Sequence, residues 1–241
     1  MNNSLISIII PVYNSSLTIE ETLSSVIAQS YPYWECIVVD DKSEDSTYEV
    51  IHRFQQQFSN IKYFKRTNST KGVSTCRNIG VENAKGQYLL FLDSDDLLHK
   101  NCLKKRFRYT NVYPEYSFWI FKMQEFIHEV GDIQILHNNY PEVETNEEYL
   151  KLFLKGVNPF TVTCPLWKKK SLKLLKGFNE KLQLWEDPEL HIRAILLGLK
   201  FEVNKSSKPD CYYRNDRESK KGLEKEFLLL AIVGLDLSKL K

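Results

Sequence analysis

Four short apolar runs recur through the first hundred residues, at 5–12, 36–39, 61–64 and 87–92, with helix-like patterns between them. That alternation constrains the fold more than any other feature of the chain. Runs that are apolar throughout suit strands covered on both faces, as in a mainly parallel sheet flanked by helices. The intervening segments supply the helices. Thr18 with Glu21, and Ser46 with Glu49, have the spacing of capping boxes. Val50, Ile51, Phe54 and Phe58 share one helical face, and residues 72–84 continue the series. In open sheets of this class, ligands bind beyond the carboxyl ends of the strands. Three of the four runs end there in polar or acidic residues: Tyr13-Asn14, Asp40-Asp41 and Asp93-Ser94-Asp95-Asp96.

The last of these carries the most chemistry. Three carboxylates within four residues repel one another unless a cation sits among them. A hard divalent ion with oxygen ligands, sharing its shell with a substrate phosphate, is the natural partner. Asp and Ser also favour solvated turns, so the buried strand that would hold the cluster is what favours a metal. Asp40 and Asp41 follow another apolar run, and either can accept the N–H of a planar base such as uracil. Helix capping explains Ser43 or Asp45 but does not require the paired aspartates. Glu186-Asp187 precede Pro188, which suits a first helical turn. Acidic residues are common at helix starts; the functional alternative is a general base over the site.

Composition narrows the classes. The chain has 241 residues, 42% hydrophobic and 27% charged, with a net charge of +2, an ordinary globular balance without the global basic excess of a nucleic-acid binder. Two local basic runs stand out: Lys104, Lys105, Arg106 and Arg108, and Lys168, Lys169 and Lys170. Each reads as a solvated face or as a contact for an anionic membrane or phosphorylated acceptor. Five cysteines without a C-x-x-C favour reduced structural thiols in a cytoplasmic protein. No signal peptide or membrane span is expected. After the first run the chain has Pro11-Val12-Tyr13-Asn14-Ser15-Ser16, which lacks the glycines of a dinucleotide-binding turn, and no P-loop motif occurs.

The order of the blocks is specific. Ser7-Ile8-Ile9-Ile10-Pro11-Val12-Tyr13-Asn14, then residues 37–47 around Asp40-Asp41, then Gly72-Val73-Ser74 through Arg77-Asn78-Ile79-Gly80, then residues 84–96, then Gly177-Phe178-Asn179-Glu180 before Leu184-Trp185-Glu186-Asp187, resemble the family-2 inverting glycosyltransferases with the GT-A fold. The likeness covers residues 5–100 closely and 160–200 more loosely. It implies an α/β fold with a mainly parallel sheet, and one domain made of a nucleotide-sugar-binding half (1–100), an acceptor-side half (101–221) and a helical tail (222–241). It implies a donor site of Pro11, Tyr13, Asp40, Asp41, Arg77, Asp93, Ser94 and Asp95, with Tyr13 stacking on the base and Asp41, or Asp40 in its place, on the uracil edge. Asp93 and Asp95 would hold manganese or magnesium. Asp96, Trp185 and Glu186 would lie by the sugar or acceptor, and Asp187 would be the catalytic base. Tyr213-Arg214 and Ser219 resemble, weakly, a loop that closes over the donor diphosphate. Lys42 departs from the pattern, since glycine or asparagine commonly stands there and tolerates left-handed backbone angles.

The expected partners are a nucleotide-sugar donor, UDP-linked by the Asp41 reading, and a glycan or lipid-linked acceptor. The expected setting is bacterial surface-polysaccharide synthesis at the inner face of the membrane. Past residue 100 the pattern gives a strand at 117–121, an irregular polar stretch at 122–145, helices at 146–154 and 188–197, and a strand at 199–203. Most of the aromatic residues there suit a core; Trp185 stands beside Glu186-Asp187. The tail's leucines and lysines are compatible with packing on the domain, homodimerisation or peripheral membrane contact. The rival reading is a catalytically silent nucleotide-sugar-binding subunit of an assembly complex, which the retained acidic residues argue against.

Overall fold

The computed structural model describes residues 3–67, 70–205 and 208–215; Ser219 and the 222–241 tail lie outside the described residues. Its first half alternates strand and helix: β1 (Ile6–Val12), α1 (Ile19–Ile27), β2 (Trp34–Asp40), α2 (Thr47–Gln57), β3 (Ile61–Lys65), α3 (Val73–Asn83) and β4 (Tyr88–Phe91). The second half continues with β5 (Leu97–Leu98), α4 (Cys102–Val112), β6 (Phe118–Ile120), β7 (Met123–Phe126), β8 (Leu136–His137), α5 (Asn146–Leu154), β9 (Pro165–Lys168), α6 (Lys169–Leu174), α7 (Glu186–Leu196), β10 (Phe201–Val203) and β11 (Cys211–Arg214).

Seven strands form the main sheet in the order β10-β6-β9-β4-β1-β2-β3. All neighbours pair in parallel except β9, which runs antiparallel to both β4 and β6. Every residue of β1 and β2 is buried, as continuous apolar runs require of strands covered on both faces. A smaller sheet, β5-β11-β7-β8, draws on residues 97–214. Two of its strands fall within 122–145, so that stretch is not irregular throughout.

The register of β1 opens the site. β1 pairs with β2 along its whole length, Ile6 to Val12, but with β4 only from Ile6 to Ile9. The Ile9 carbonyl accepts Leu92 N–H on the β4 side, while Ile6 N–H and the Val12 carbonyl bond on the β2 side. Backbone groups alternate sides along a strand, so Pro11 turns towards β4, where β4 has already ended. A proline in a central strand thus costs no ladder bond, and the parting of β1 from β4 leaves a crevice at their carboxyl ends.

Two of the expected capping boxes do not form. Neither Thr18 nor Ser46 makes a side-chain cap bond. Glu21 pairs instead with Arg214 of β11, and Thr47 N–H is taken by Asp45 at 3.0 Å. A capping box does close at α5, between Thr145 and Glu148. Trp119, Trp167, Phe118, Phe121 and Phe160 are fully buried core residues. All five cysteines are buried and unpaired.

Candidate active site

The crevice is a cavity of about 400 Å³ lined by Pro11, Val12 and Tyr13 at the end of β1, Asp41 after β2, Val73, Cys76 and Arg77 of α3, Asp93, Ser94 and Asp95 after β4, and Gln183, Leu184 and Glu186 leading into α7. Tyr13 is 58% exposed on the rim, a flat ring free to stack on a planar group. The loops after β1 and β2 are tied together: Asn14 N–H donates to Ser43 Oγ at 3.0 Å and Glu44 N–H to Asn14 Oδ1 at 2.9 Å.

The paired aspartates separate. Asp40 is 1% exposed; its Oδ1 accepts Ser43 N–H and hydroxyl at 2.8 and 2.7 Å, and its Oδ2 accepts the Tyr63 hydroxyl at 2.7 Å. It lines neither cavity of the site. Asp41 lines the crevice and is held there by Arg66 and by Gly72 N–H at 2.9 Å. The Cys76 thiol also hydrogen-bonds to it, and its place on the cavity wall leaves it within reach of a ligand donor. Gly72 sits at φ 115°, a region open to glycine. Lys42 adopts φ 68°, so the turn that glycine or asparagine would make is made here by lysine, at a cost of about 1–2 kcal/mol.

Arg77 is the hub. Its guanidinium is almost wholly buried and donates to Asp93 Oδ1 and Glu186 Oε1, each at 2.7 Å, and lies 5.2 Å from the centre of the Phe178 ring. Burial alone would favour its loss of a proton, but Asp93 and Glu186 outweigh that and hold it charged. The acidic turn is fixed from the other side by β11. Arg214 N–H donates to Asp96 Oδ1, and its Nε to the Asp95 carbonyl, both at 3.0 Å. Tyr213 and Arg214 are therefore strand residues and not part of a loop, and Arg214 clamps the acidic turn. Asp96 is 1% exposed; burial first, then Asp93 and Asp95, push its carboxyl well above the usual range.

A second cavity, about 480 Å³, shares Arg77, Asp93 and Glu186 with the first and adds Asp96, Trp185, Asp187, His137, Asn158, Thr161, Val162 and Tyr213. Trp185 is the N-cap of α7 at φ 62°, ψ 20°. Left-handed backbone is uncommon for a bulky residue, and it marks a strained junction at the head of α7. Asp187 is half-buried in the wall. Burial and the neighbouring Glu186 and Asp93 charges push its carboxyl up to about 8 despite Arg77.

The fold thus gathers Pro11, Tyr13, Asp41, Arg77, Asp93, Ser94 and Asp95 in one cavity, and Asp96, Trp185, Glu186 and Asp187 in the adjoining one. The sequence reading had not singled out Arg66, Gln183, His137, Asn158 or Thr161. Among the described residues no group of three or more His, Cys, Asp and Glu side chains is arranged to hold a metal ion alone. Asp93 and Asp95 offer oxygen ligands in one cavity, and magnesium-type sites commonly use one or two carboxylates plus substrate phosphates. The residues fit a divalent cation bound together with a diphosphate.

Comparison with known proteins agrees with this architecture. Residues 7–172 match the profile of a family described as Glycosyl transferase family 2. An uncharacterized glycosyltransferase of Haemophilus influenzae is 33% identical over 193 residues, covering 75% of this chain and 69% of that protein. A poly(ribitol-phosphate) beta-glucosyltransferase of Bacillus spizizenii is 38% identical over 107 residues, 44% of this chain but 17% of that protein. The crystal structure of Staphylococcus aureus TarS in complex with UDP-GlcNAc superposes with a TM-score of 0.75 over 96% of this chain and 67% of that one, at 24% identity. Several relatives are thus much longer than the segment they share with this chain.

Proposed function

Because the chain belongs to glycosyl transferase family 2, and so is a glycosyltransferase of GT-A fold, we propose that it moves a sugar from a UDP-linked donor to a hydroxyl of a bacterial surface polymer in a single inverting displacement. The observation that carries this reading is the shared wall. Arg77, Asp93 and Glu186 line both cavities, and Asp187 opens only on the second. A donor in the first cavity and an acceptor in the second would meet at that wall.

In this reading the base stacks on Tyr13 and its N–H donates to Asp41, whose orientation Arg66 and Gly72 fix in advance. A divalent cation held by Asp93 and Asp95 would supply charge neutralisation to the departing diphosphate. Arg77 keeps the Asp93 and Glu186 carboxylates in place. Asp187, made more basic by its burial, takes the proton of the acceptor hydroxyl. The hydroxyl attacks the face opposite the diphosphate, so the anomeric centre inverts and no second carboxylate nucleophile is required. Trp185, at the mouth of the second cavity, offers a ring face to a sugar.

The relatives support the substrate class. The TarS structure holds UDP-GlcNAc, and the Bacillus protein is named for glucosylation of poly(ribitol-phosphate). Among the described residues no helix is long and apolar enough to cross a membrane.

The test is slow hydrolysis of a panel of UDP-sugars without acceptor, followed by UDP release, in wild type and Asp187→Asn. At least one donor should turn over, and the variant should lose about 10²–10⁴-fold while still binding UDP. Undiminished turnover in the variant removes Asp187 from its role.

A further inference from the structure

A third concave feature lies at the opposite end of β4 from the active site. A cleft of about 460 Å³ is lined by Lys85, Lys168, Lys169, Lys170 and Lys173 together with Gly86, Gln87 and Tyr88. It forms where the amino end of β4 meets the carboxyl end of β9, at the paired residues Tyr88 and Lys168. The basic run at 168–170 thus acquires two more lysines from elsewhere in the chain.

None of the five ammonium groups makes an ion pair among the described residues; the lysines that do are Lys62, Lys105 and Lys151. Two of the five are held in place. Lys168 Nζ donates to the Pro114 carbonyl at 2.5 Å and lies 5.3 Å from the Trp119 ring centre, and Lys169 Nζ donates to the Ala84 carbonyl. An ammonium has three donors, so each keeps two. Burial first, then Lys170 beside Lys168 and Lys173 beside Lys169, lower the proton affinity of these two groups, with Glu115 and Glu35 respectively opposing the shift. Lys85, Lys170 and Lys173 are exposed. Five like charges focused in a concave wall attract anions, and a bound anion relieves their mutual repulsion.

We propose that this cleft holds a phosphate-bearing stretch of the polymer acceptor at a distance from the bond-forming site. The proposal rests on the acceptor reading given above and specifies that acceptor as a polyanion. Position favours a polymer over a bilayer. Tyr88 and Asp93 lie at opposite ends of the β4 segment, about 17 Å apart at the usual strand rise. A membrane docked on the cleft would therefore leave the active site facing away from it. A long chain can bridge the two places.

The experiment uses medium-chain inorganic polyphosphate as probe, titrated at 0.1 M salt into wild type, into a Lys85→Glu/Lys170→Glu/Lys173→Glu variant, and into a control variant of equal charge change, Lys104→Glu/Lys151→Glu/Lys155→Glu. The UDP-induced rise in Tm is measured in all three as the check of fold and donor site. The proposal expects saturable binding in wild type, roughly tenfold or greater loss in the cleft variant with a shallower salt dependence, and little change in the control. No binding by wild type, or equal loss in both variants, overturns it. Binding to phosphatidylglycerol vesicles that needs the cleft lysines, without binding to free polyphosphate, overturns it in favour of a lipid surface. The two readings fail separately, because a wild type without any UDP shift contradicts the donor site and not the cleft.

Discussion

Three aspartates in and beside this site differ only in what surrounds them, and the roles proposed for them follow from that difference. Asp40 is 1% exposed, takes three donors and does not line the crevice. Asp41 is pinned by Arg66 and Gly72 N–H on the crevice wall, where a ligand can reach it. Asp187 is half-buried, with acidic neighbours that push it up to about 8. Its folded-state pKa exceeds the unfolded value of 3.8, so between those pH values the folded chain holds a proton that the unfolded chain has lost. Stability from this group is therefore fully present near pH 4 and is lost as pH rises through about 8. Asp187→Asn cannot ionise. In metal-free protein it should melt a few degrees above wild type at pH 8.5, with the difference closing near pH 4, as calorimetry across that range would show. A variant no more stable than wild type at pH 8.5 contradicts the view that its surroundings disfavour ionisation of Asp187. Asp41→Ala should abolish the UDP-induced rise in Tm. Asp40→Asn should instead lower stability by about 1–3 kcal/mol, by weakening buried hydrogen bonds, and keep the UDP response; a reversed pattern would exchange their roles. The acidic residues were legible in the sequence, but their division of labour was not. Neighbours at a strand end point to opposite sides, and the groups that hold them, Tyr63 of β3 and Arg66 just past its end, lie more than twenty residues later.

At the scale of elements, the parallel half was readable because its strands are continuous apolar runs and its helices carry a clear stripe. The small sheet was hidden because β5 and β8 have two residues each and β7 finds its partner in β11, pairing Met123 with Cys211. No local pattern announces a pairing that distant. The capping boxes failed for a related reason, since spacing states what Glu21 could reach but not that Arg214 would claim it. Helix α3, which carries Arg77, is held against β1 by Gly80. A Cβ there would meet Ile9 Cγ2 at 2.3 Å, and Ile9 is fully buried and stiff at its branch point. In an open helix, glycine to alanine gains about 1 kcal/mol. Here overpacking should reverse the sign, and Gly80→Ala should cost about 2 kcal/mol and weaken UDP binding, because α3 moves with Arg77. Denaturant titration decides it; a stabilised variant would show that α3 has room to spare.

For the molecule as a whole, the main sheet brings the acidic carboxyl ends of β2 and β4 to either side of β1, and the small sheet braces the turn after β4. Arg214 reaches from β11 to the Asp95 carbonyl, to Asp96 and to Glu21 of α1. Family and fold were legible because order and spacing of five blocks survive in the linear chain. The second cavity was legible only in part: Asp96, Trp185, Glu186 and Asp187 stood out, but His137, Asn158 and Thr161 come from separate segments with no common motif. The central claim is that the β1/β4 crevice binds a uridine diphosphate together with a divalent cation. The most direct measurement is the Tm of the protein with UDP, GDP, CDP and TDP, each with and without manganese, in wild type and Asp95→Asn. A ligand that binds only the folded state must raise Tm. The account predicts a rise with UDP that is larger with manganese, and loss of the manganese-dependent part in Asp95→Asn. Absence of a rise with every nucleoside diphosphate, in the presence of manganese, would contradict it.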